Sequence, residues 1–163
     1  MTDASPVTVG HPSGLRRLSA AAAVVVLVVL ADQLSKWWAV SRLSHGPIHL
    51  IGTLDLELTY NSGSAFSLLQ GQDALLVVVA VLIAAALSVM VWRSRSNGRA
   101  VILGLILGGA LGNLADRLFR GTHGEVVDFV ALHFWPTFNV ADASIVVGCG
   151  LLVVSLALEA RTR

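Results

Sequence analysis

Asp128 and Asp142 stand fourteen positions apart at the two ends of a mostly apolar stretch, V-V-D-F-V-A-L-H-F-W-P-T-F-N-V-A-D from Val126 to Asp142. Asp128 is flanked by Val126, Val127, Phe129 and Val130, and no Lys or Arg close in sequence neutralises it, so desolvation is expected to raise its proton affinity. Asp142 opens a long hydrophobic run. Asn139 fits the N-cap of that run, because its side chain can accept from the free N–H groups of the next turn, and Asp142 then lies three residues into the helix. Capping near the positive helix end is enough to account for Asp142 on its own. If folding brings the two acids together, a second chemistry opens, because like charges at hydrogen-bonding distance favour one shared proton. The charged member would activate water against a carbonyl, the protonated one would donate to the carbonyl oxygen, and proton exchange would help an amine leave. No Ser with a partner base, no reactive thiol and no metal-binding set competes for that role.

The elements that must position this pair lie in a membrane. Of the 163 residues, 55% are hydrophobic and 13% charged, and the apolar residues fall in long runs. A hydrocarbon layer about 30 Å thick needs about 20 apolar residues per helix, so the chain has room for roughly four spans. An Asp at the centre of such a span costs about 2.5 to 3.5 kcal/mol, which makes each membrane acid a functional candidate. The net charge of +1, with basic residues scattered singly and in pairs, leaves no nucleic-acid footprint. Cys149 is the single cysteine and is expected to pack as a small hydrophobe, and the five histidines show no metal-ligand spacing.

Residues 1–14 carry Pro6, Pro12 and several Ser and Thr without apolar periodicity, and a disordered cytoplasmic extension is expected there; residues 15–163 form a single membrane domain. Helices are expected at about 18–40, 74–92, 100–118 and 140–158. Arg16 and Arg17 before an apolar run resemble a signal peptide, but no small-residue cleavage site follows, so the first helix is read as retained, ending near Trp37 and Trp38. Asp32 and Lys36, four apart, share a helical face and can pair, either as a solvated pair or facing a substrate. Thr53 to Tyr60 alternates apolar and polar, a strand signal, and leads into the small-residue turn from Asn61. Gly104, Gly108 and Gly112 recur every four residues and mark a close helix contact. Beyond them Asn113, Asp116 and Arg117 share a face, and Asp116 can also pair with Arg120.

Seven of the eleven basic residues, Arg16, Arg17, Arg93, Arg95, Arg99, Arg161 and Arg163, fall on one side of a four-span arrangement. By the positive-inside rule both termini are cytoplasmic, and eight of the ten acids lie on or near the outer side. A proton-coupled carrier would distribute its acids along a path across the bilayer, whereas here they gather at one face. A purely structural subunit would leave the carboxylate pair without a purpose.

The chain closely resembles the lipoprotein signal peptidases, or signal peptidase II. The resemblance rests on an ordered series: D-Q-L-S-K at Asp32 to Lys36, N-S-G-S-A-F at Asn61 to Phe66, G-G-A-L-G-N-L-A-D-R at Gly108 to Arg117, V-V-D-F at Val126 to Phe129 and F-N-V-A-D at Phe138 to Asp142. It covers about residues 15 to 160. It implies an all-α membrane protein of four transmembrane helices with a small extracytoplasmic β-cradle, an aspartyl endopeptidase of the bacterial cytoplasmic (inner) membrane. Such an enzyme cuts prolipoproteins just before a diacylglyceryl-modified cysteine and needs no cofactor. Its partners are then those prolipoproteins and membrane lipids, and a monomer is expected. By motif, Asp128 and Asp142 are the implied dyad. Asn61, Gly63, Asn113, Arg117 and Asn139 are the implied site-shaping or substrate-holding residues, supported by Asp32 and Lys36 from the first helix. The segment between the two acids is shorter than is usual in the family. On spacing alone Asp116 could replace Asp128; the motif favours Asp128, with Asp116 held by Arg117 or Arg120.

Overall fold

The computed structural model describes residues 13–63, 73–122 and 124–162. Residues 1–12 of the N-terminal stretch, and Ser64 to Phe66 of the N-S-G-S-A-F motif, lie outside the described residues.

Four helices, each long and apolar enough to cross a membrane, carry the architecture: α1 (Ser13–Leu43), α2 (Asp73–Arg93), α3 (Asn97–Phe119) and α4 (Val140–Arg161). The protein is a multi-pass membrane protein. Large apolar side chains such as Val26, Leu27, Leu82, Val146 and Val153 point outward, as lipid-facing surfaces require. Cys149 also faces outward on α4 rather than packing inside. The first helix runs beyond the two tryptophans to Leu43, so Trp37 and Trp38 sit on its flank before its end.

Helix α3 is the spine. Half of its spanning segment is buried, against 17, 17 and 11% for α1, α2 and α4. Its glycines make this possible, because helices pack in lipid by backbone approach rather than by hydrophobic expulsion. The stripe faces α1: a Cβ placed on Gly108 would lie 2.8 Å from Val28 Cβ, and one on Gly112 2.6 Å from Asp32 Oδ2. Gly109, one residue off the stripe, faces α4 instead, against the Ala141 carbonyl and Ile145.

At one end of the bundle the connections form an antiparallel sheet in the order β1 (Ile48–Ile51), β2 (Leu54–Asn61), β3 (Val126–Leu132) and β4 (Trp135–Phe138). Strand β2 follows the alternation read from sequence; Leu56 and Leu58 turn toward Ala39 and Leu43 of α1, with Phe129 of β3 beside them. The aromatic stretch between the two acids is not an open loop. It is the β3–β4 hairpin, paired at Val130 with Phe138 and Leu132 with Trp135.

Gly109→Val is expected to force α3 and α4 apart and cost about 3 kcal/mol, at the upper end of overpacking penalties. Gly150→Ala, with nothing among the described residues within 4 Å of the added Cβ, should leave stability unchanged or slightly raised. Reversible unfolding of both variants in detergent measures the difference.

Candidate active site

The polar centre is built around Lys36, fully buried on α1. Its ammonium contacts Asp32 Oδ2 at 2.9 Å and Asp116 Oδ2 at 2.9 Å, and donates to Asn113 Oδ1 at 2.9 Å. Three N–H groups meet three acceptors, which is the full donor capacity of a lysine. The Asp32–Lys36 pair is therefore neither solvated nor facing an open cleft; it lies inside the bundle, because Gly112 lets α3 close over it.

Each carboxylate on Lys36 then holds another element. Asp32 Oδ1 accepts from the backbone N–H of Ala141, at 3.0 Å, fixing the first turn of α4. Asp116 Oδ2 accepts from Val127 N at 3.1 Å, fixing β3 one residue before Asp128. Asp116 also takes Arg120 Nε at 2.7 Å. Arg117 does not hold Asp116; its guanidinium donates to the Gly124 carbonyl at 2.8 Å and lies against Gly63. Gly63 adopts φ of 80°, and a side chain there would meet the guanidinium 3.1 Å away.

Asparagines connect this centre to the two acids. Lys36 has only donors, so Asn113 turns its oxygen to the ammonium and its Nδ2 to Asp142 Oδ1, 2.8 Å away. Asn139 is the N-cap of α4. Its Oδ1 accepts from Asp142 N at 2.9 Å while its own N donates to Asp142 Oδ2 at 3.2 Å, a reciprocal capping box. The Asn139 amide group donates in turn to Asp128 Oδ1 at 2.7 Å and to Asn113 Oδ1 at 3.0 Å. Asn61 completes the ring: its oxygen accepts from Gly63 N at 2.8 Å, which aims its Nδ2 at Asp128 Oδ2, 2.9 Å away. Capping and juxtaposition, open alternatives in sequence, are here the same arrangement.

The two acids stand in different surroundings. Asp128 is buried, and burial pushes its carboxyl up to about 6. The hydrogen bond from Asn61 opposes this, the charge of Asp142 adds to it, and Asn139 and Lys36 pull it back. Asp142 is half-buried and opens onto an apolar groove of about 340 Å³. The groove is walled by Phe134, Trp135 and Phe138 of the hairpin and by Val146 and Val147 of α4, with Val146 one turn along the helix from Asp142.

Gln33 escaped sequence reading, although it lies within D-Q-L-S-K. Its Nε2 donates to Asp116 Oδ1 and to the Gly112 carbonyl, each at 3.1 Å, and its Oε1 accepts from Arg120 at 2.8 Å. A single amide beside Asp32 on a long helix has no spacing of its own that points to partners some eighty residues away.

The chain and its fold have known counterparts. The family pattern of Signal peptidase (SPase) II matches residues 24–158. The chain belongs to the signal peptidase II family. The lipoprotein signal peptidase of Rhodococcus jostii is 48% identical over 137 residues, 80% of this chain and 69% of that protein. Those of Mycobacterium tuberculosis and Syntrophomonas wolfei are 43% and 42% identical, across 88% and 83% of this chain and 73% and 91% of their own. A bacterial membrane enzyme solved by the in meso method at 1.9 Å resolution superposes with a TM-score of 0.75 at 28% identity, covering 83% of this chain and 91% of that one. Membership in this family makes the protein a membrane protease of the signal peptidase II class.

Lys36→Met should destabilise the fold by about 3 to 5 kcal/mol, because it leaves Asp32 and Asp116 buried without their counter-charge. Combining it with Asp32→Asn and Asp116→Asn should recover part of that loss, a coupling that unfolding in detergent would read directly.

Proposed function

We propose that this chain is an aspartic endopeptidase that removes the signal peptide from prolipoproteins, cutting just before the diacylglyceryl-modified cysteine, with Asp128 and Asp142 as its dyad. The observation that carries this reading is Asn139: a single buried side chain whose amide group donates to Asp128 while its oxygen and backbone N–H cap Asp142. Two carboxyl groups so joined, one buried and proton-retaining, the other opening to a groove, supply an acid and a base within reach of one peptide bond.

The steps follow from the surroundings of each acid. Asp142, bonded by Asn113 and the Asn139 backbone at the positive end of α4, is the carboxylate. It takes a proton from water as the water oxygen bonds to the carbonyl carbon. Asp128 gives its proton to the carbonyl oxygen, forming a neutral tetrahedral diol. Asp142 then passes its proton to the cysteine nitrogen as the C–N bond breaks, and a diol hydroxyl returns a proton to Asp128. The dyad is restored with one water consumed.

The groove beside Asp142 takes an acyl chain of the diacylglyceryl group. Its lining is apolar apart from Asp142 itself, and it opens on the flank of α4 that faces lipid. Asn61, Gly63 and Arg117 lie on the other side of Asp128, where they shape the path of the peptide, with Arg117 able to meet a substrate carbonyl. The acids and the sheet occupy the end of the bundle opposite Arg16, Arg17, Arg93, Arg95, Arg99 and Arg161. By the positive-inside rule that basic end is cytoplasmic, which puts the active end at the outer face of the bacterial cytoplasmic membrane and both termini inside. The protein works as a monomer.

Asp128→Asn and Asp142→Asn should each lower cleavage of a diacylglyceryl-modified prolipoprotein by 10³-fold or more, on the order expected for loss of a catalytic acid or base, with unfolding in detergent unchanged or improved. A gel-shift assay with the lipidated and unlipidated precursors measures this, and substantial turnover by both variants would remove the dyad. For the wild type, kcat/KM should fall as pH rises through about 6, where Asp128 gives up the proton it must donate. The corresponding fall in kcat should lie at higher pH, because bound substrate excludes water and deepens the burial of Asp128. An alkaline limb absent from both profiles would assign the acid elsewhere.

A further inference from the structure

Outside the dyad, three side chains converge on the face of the sheet away from α1. Asp55 of β2 is the cross-strand neighbour of His49 in β1 and of Ala131 in β3. His49 Nδ1 lies 2.6 Å from Asp55 Oδ1, and His133 Nε2, from the turn between β3 and β4, lies 2.9 Å from Asp55 Oδ2. Each carboxylate oxygen thus engages one imidazole, and a carboxylate can only accept, so each ring carries its proton on the bonded nitrogen. One side chain in the middle of the sheet therefore ties β1 on one side to the hairpin turn on the other.

Among the described residues, that turn has few other anchors. Strand β4 is the edge of the sheet and is paired at two positions with an irregularity between them. The backbone bond from His133 N to the Thr53 carbonyl is long, at 3.4 Å. Immediately after His133 come Phe134 and Trp135, which form the wall of the groove beside Asp142. The contact that places His133 consequently places that wall.

We propose that Asp55 is a positioning residue for substrate, acting through the His49–Asp55–His133 clip to hold the Phe134–Trp135 wall of the groove. The inference rests on the reading of that groove as the acyl-chain site. Donation from His133 first and His49 second holds the Asp55 carboxyl below the usual carboxylate range, against a smaller effect of burial. Asp55 thus stays an acceptor for both rings in mild acid. Helix α1 meets the opposite face of β2 through Ala39 and Leu43, which leaves the two imidazoles as the side-chain partners of Asp55 on this face among the described residues.

The test has two arms on the full chain in detergent. Hydrogen exchange of the His133–Trp135 amides, corrected for intrinsic rates and measured at one pH, should show greater protection in wild type than in Asp55→Asn or His133→Gln. Equal protection in wild type and both variants overturns the clip. In the second arm, KM for a diacylglyceryl-modified prolipoprotein, measured at a single pH of 6, should be roughly two- to five-fold higher in both variants than in wild type, the range equivalent to loss of an exposed charged contact. Their kcat should stay with wild type. A change in kcat in place of KM, or KM values that track wild type, overturns the positioning role even if the clip forms. Absence of any cleavage by the wild type overturns the peptidase reading and with it the effect on KM, while exchange still decides whether the clip exists.

Discussion

Everything at the active end depends on satisfying one buried ammonium. Taking a lysine and two aspartates out of water costs several kcal/mol per ion, and attraction offsets this only when every remaining donor and acceptor finds a partner. Lys36 meets that condition with Asp32, Asp116 and Asn113. The second contacts of those partners reach the elements that carry the acids: Asp32 to the first turn of α4, Asp116 to β3, and Asn113 to Asp142 itself. The charges are thus less a source of net stability than a set of directional constraints that allow one relative placement of α1, α3, α4 and the sheet. In a low-dielectric interior a half-satisfied alternative is expensive, so the constraint is stiff.

Glycine makes that constraint reachable. The Lys36 side chain is long, but Asp32 is short, and its carboxylate can lie against α3 only because Gly112 offers no Cβ there. The same helix presents Gly109 to α4 one residue away from the stripe, so both partners of α3 approach it closely on adjacent faces. Packing and electrostatics are therefore not separable here. Loosening the helix contacts would lengthen the hydrogen bonds that hold the acids, and removing the charges would leave a narrow polar seam with nothing to fill it.

Much of this was legible in the residues. Long apolar runs give four spans, the period-two alternation around Asp55 gives a strand, and Asn139 three residues before Asp142 gives a cap. The order of five short motifs gives the family. What stayed hidden was set by long-range geometry. The i, i+4 spacing of Asp32 and Lys36 shows that they can pair, but not that Asp116, eighty residues on in the chain, would occupy the opposite side of the same ammonium. For the same reason Arg117 and Arg120 looked equivalent as partners of Asp116; Arg120, four residues on, lies over the acid, while Arg117, about 100° around the helix from it, reaches Gly124. His49 and His133 carry no metal spacing and were passed over, because a cross-strand register places them, and register is not written in either segment alone.

The site therefore divides into two parts with different mechanical character. The acids are held by amide groups on two helices and a central strand, all tied to Lys36, so their separation is fixed before any substrate arrives, as the proposed acid–base chemistry would require. The apolar groove is walled on one side by the rigid face of α4 and on the other by an edge hairpin with two paired positions. On the proposed function, a substrate that presents a peptide bond and a lipid chain to the same centre needs both. The peptide must meet fixed groups to within fractions of an ångström, whereas the chain gains its free energy from area removed from water, which tolerates displacement. Placing the stiff hydrogen-bonded ring at the dyad and the compliant aromatic wall at the groove matches each demand to the kind of interaction that can meet it.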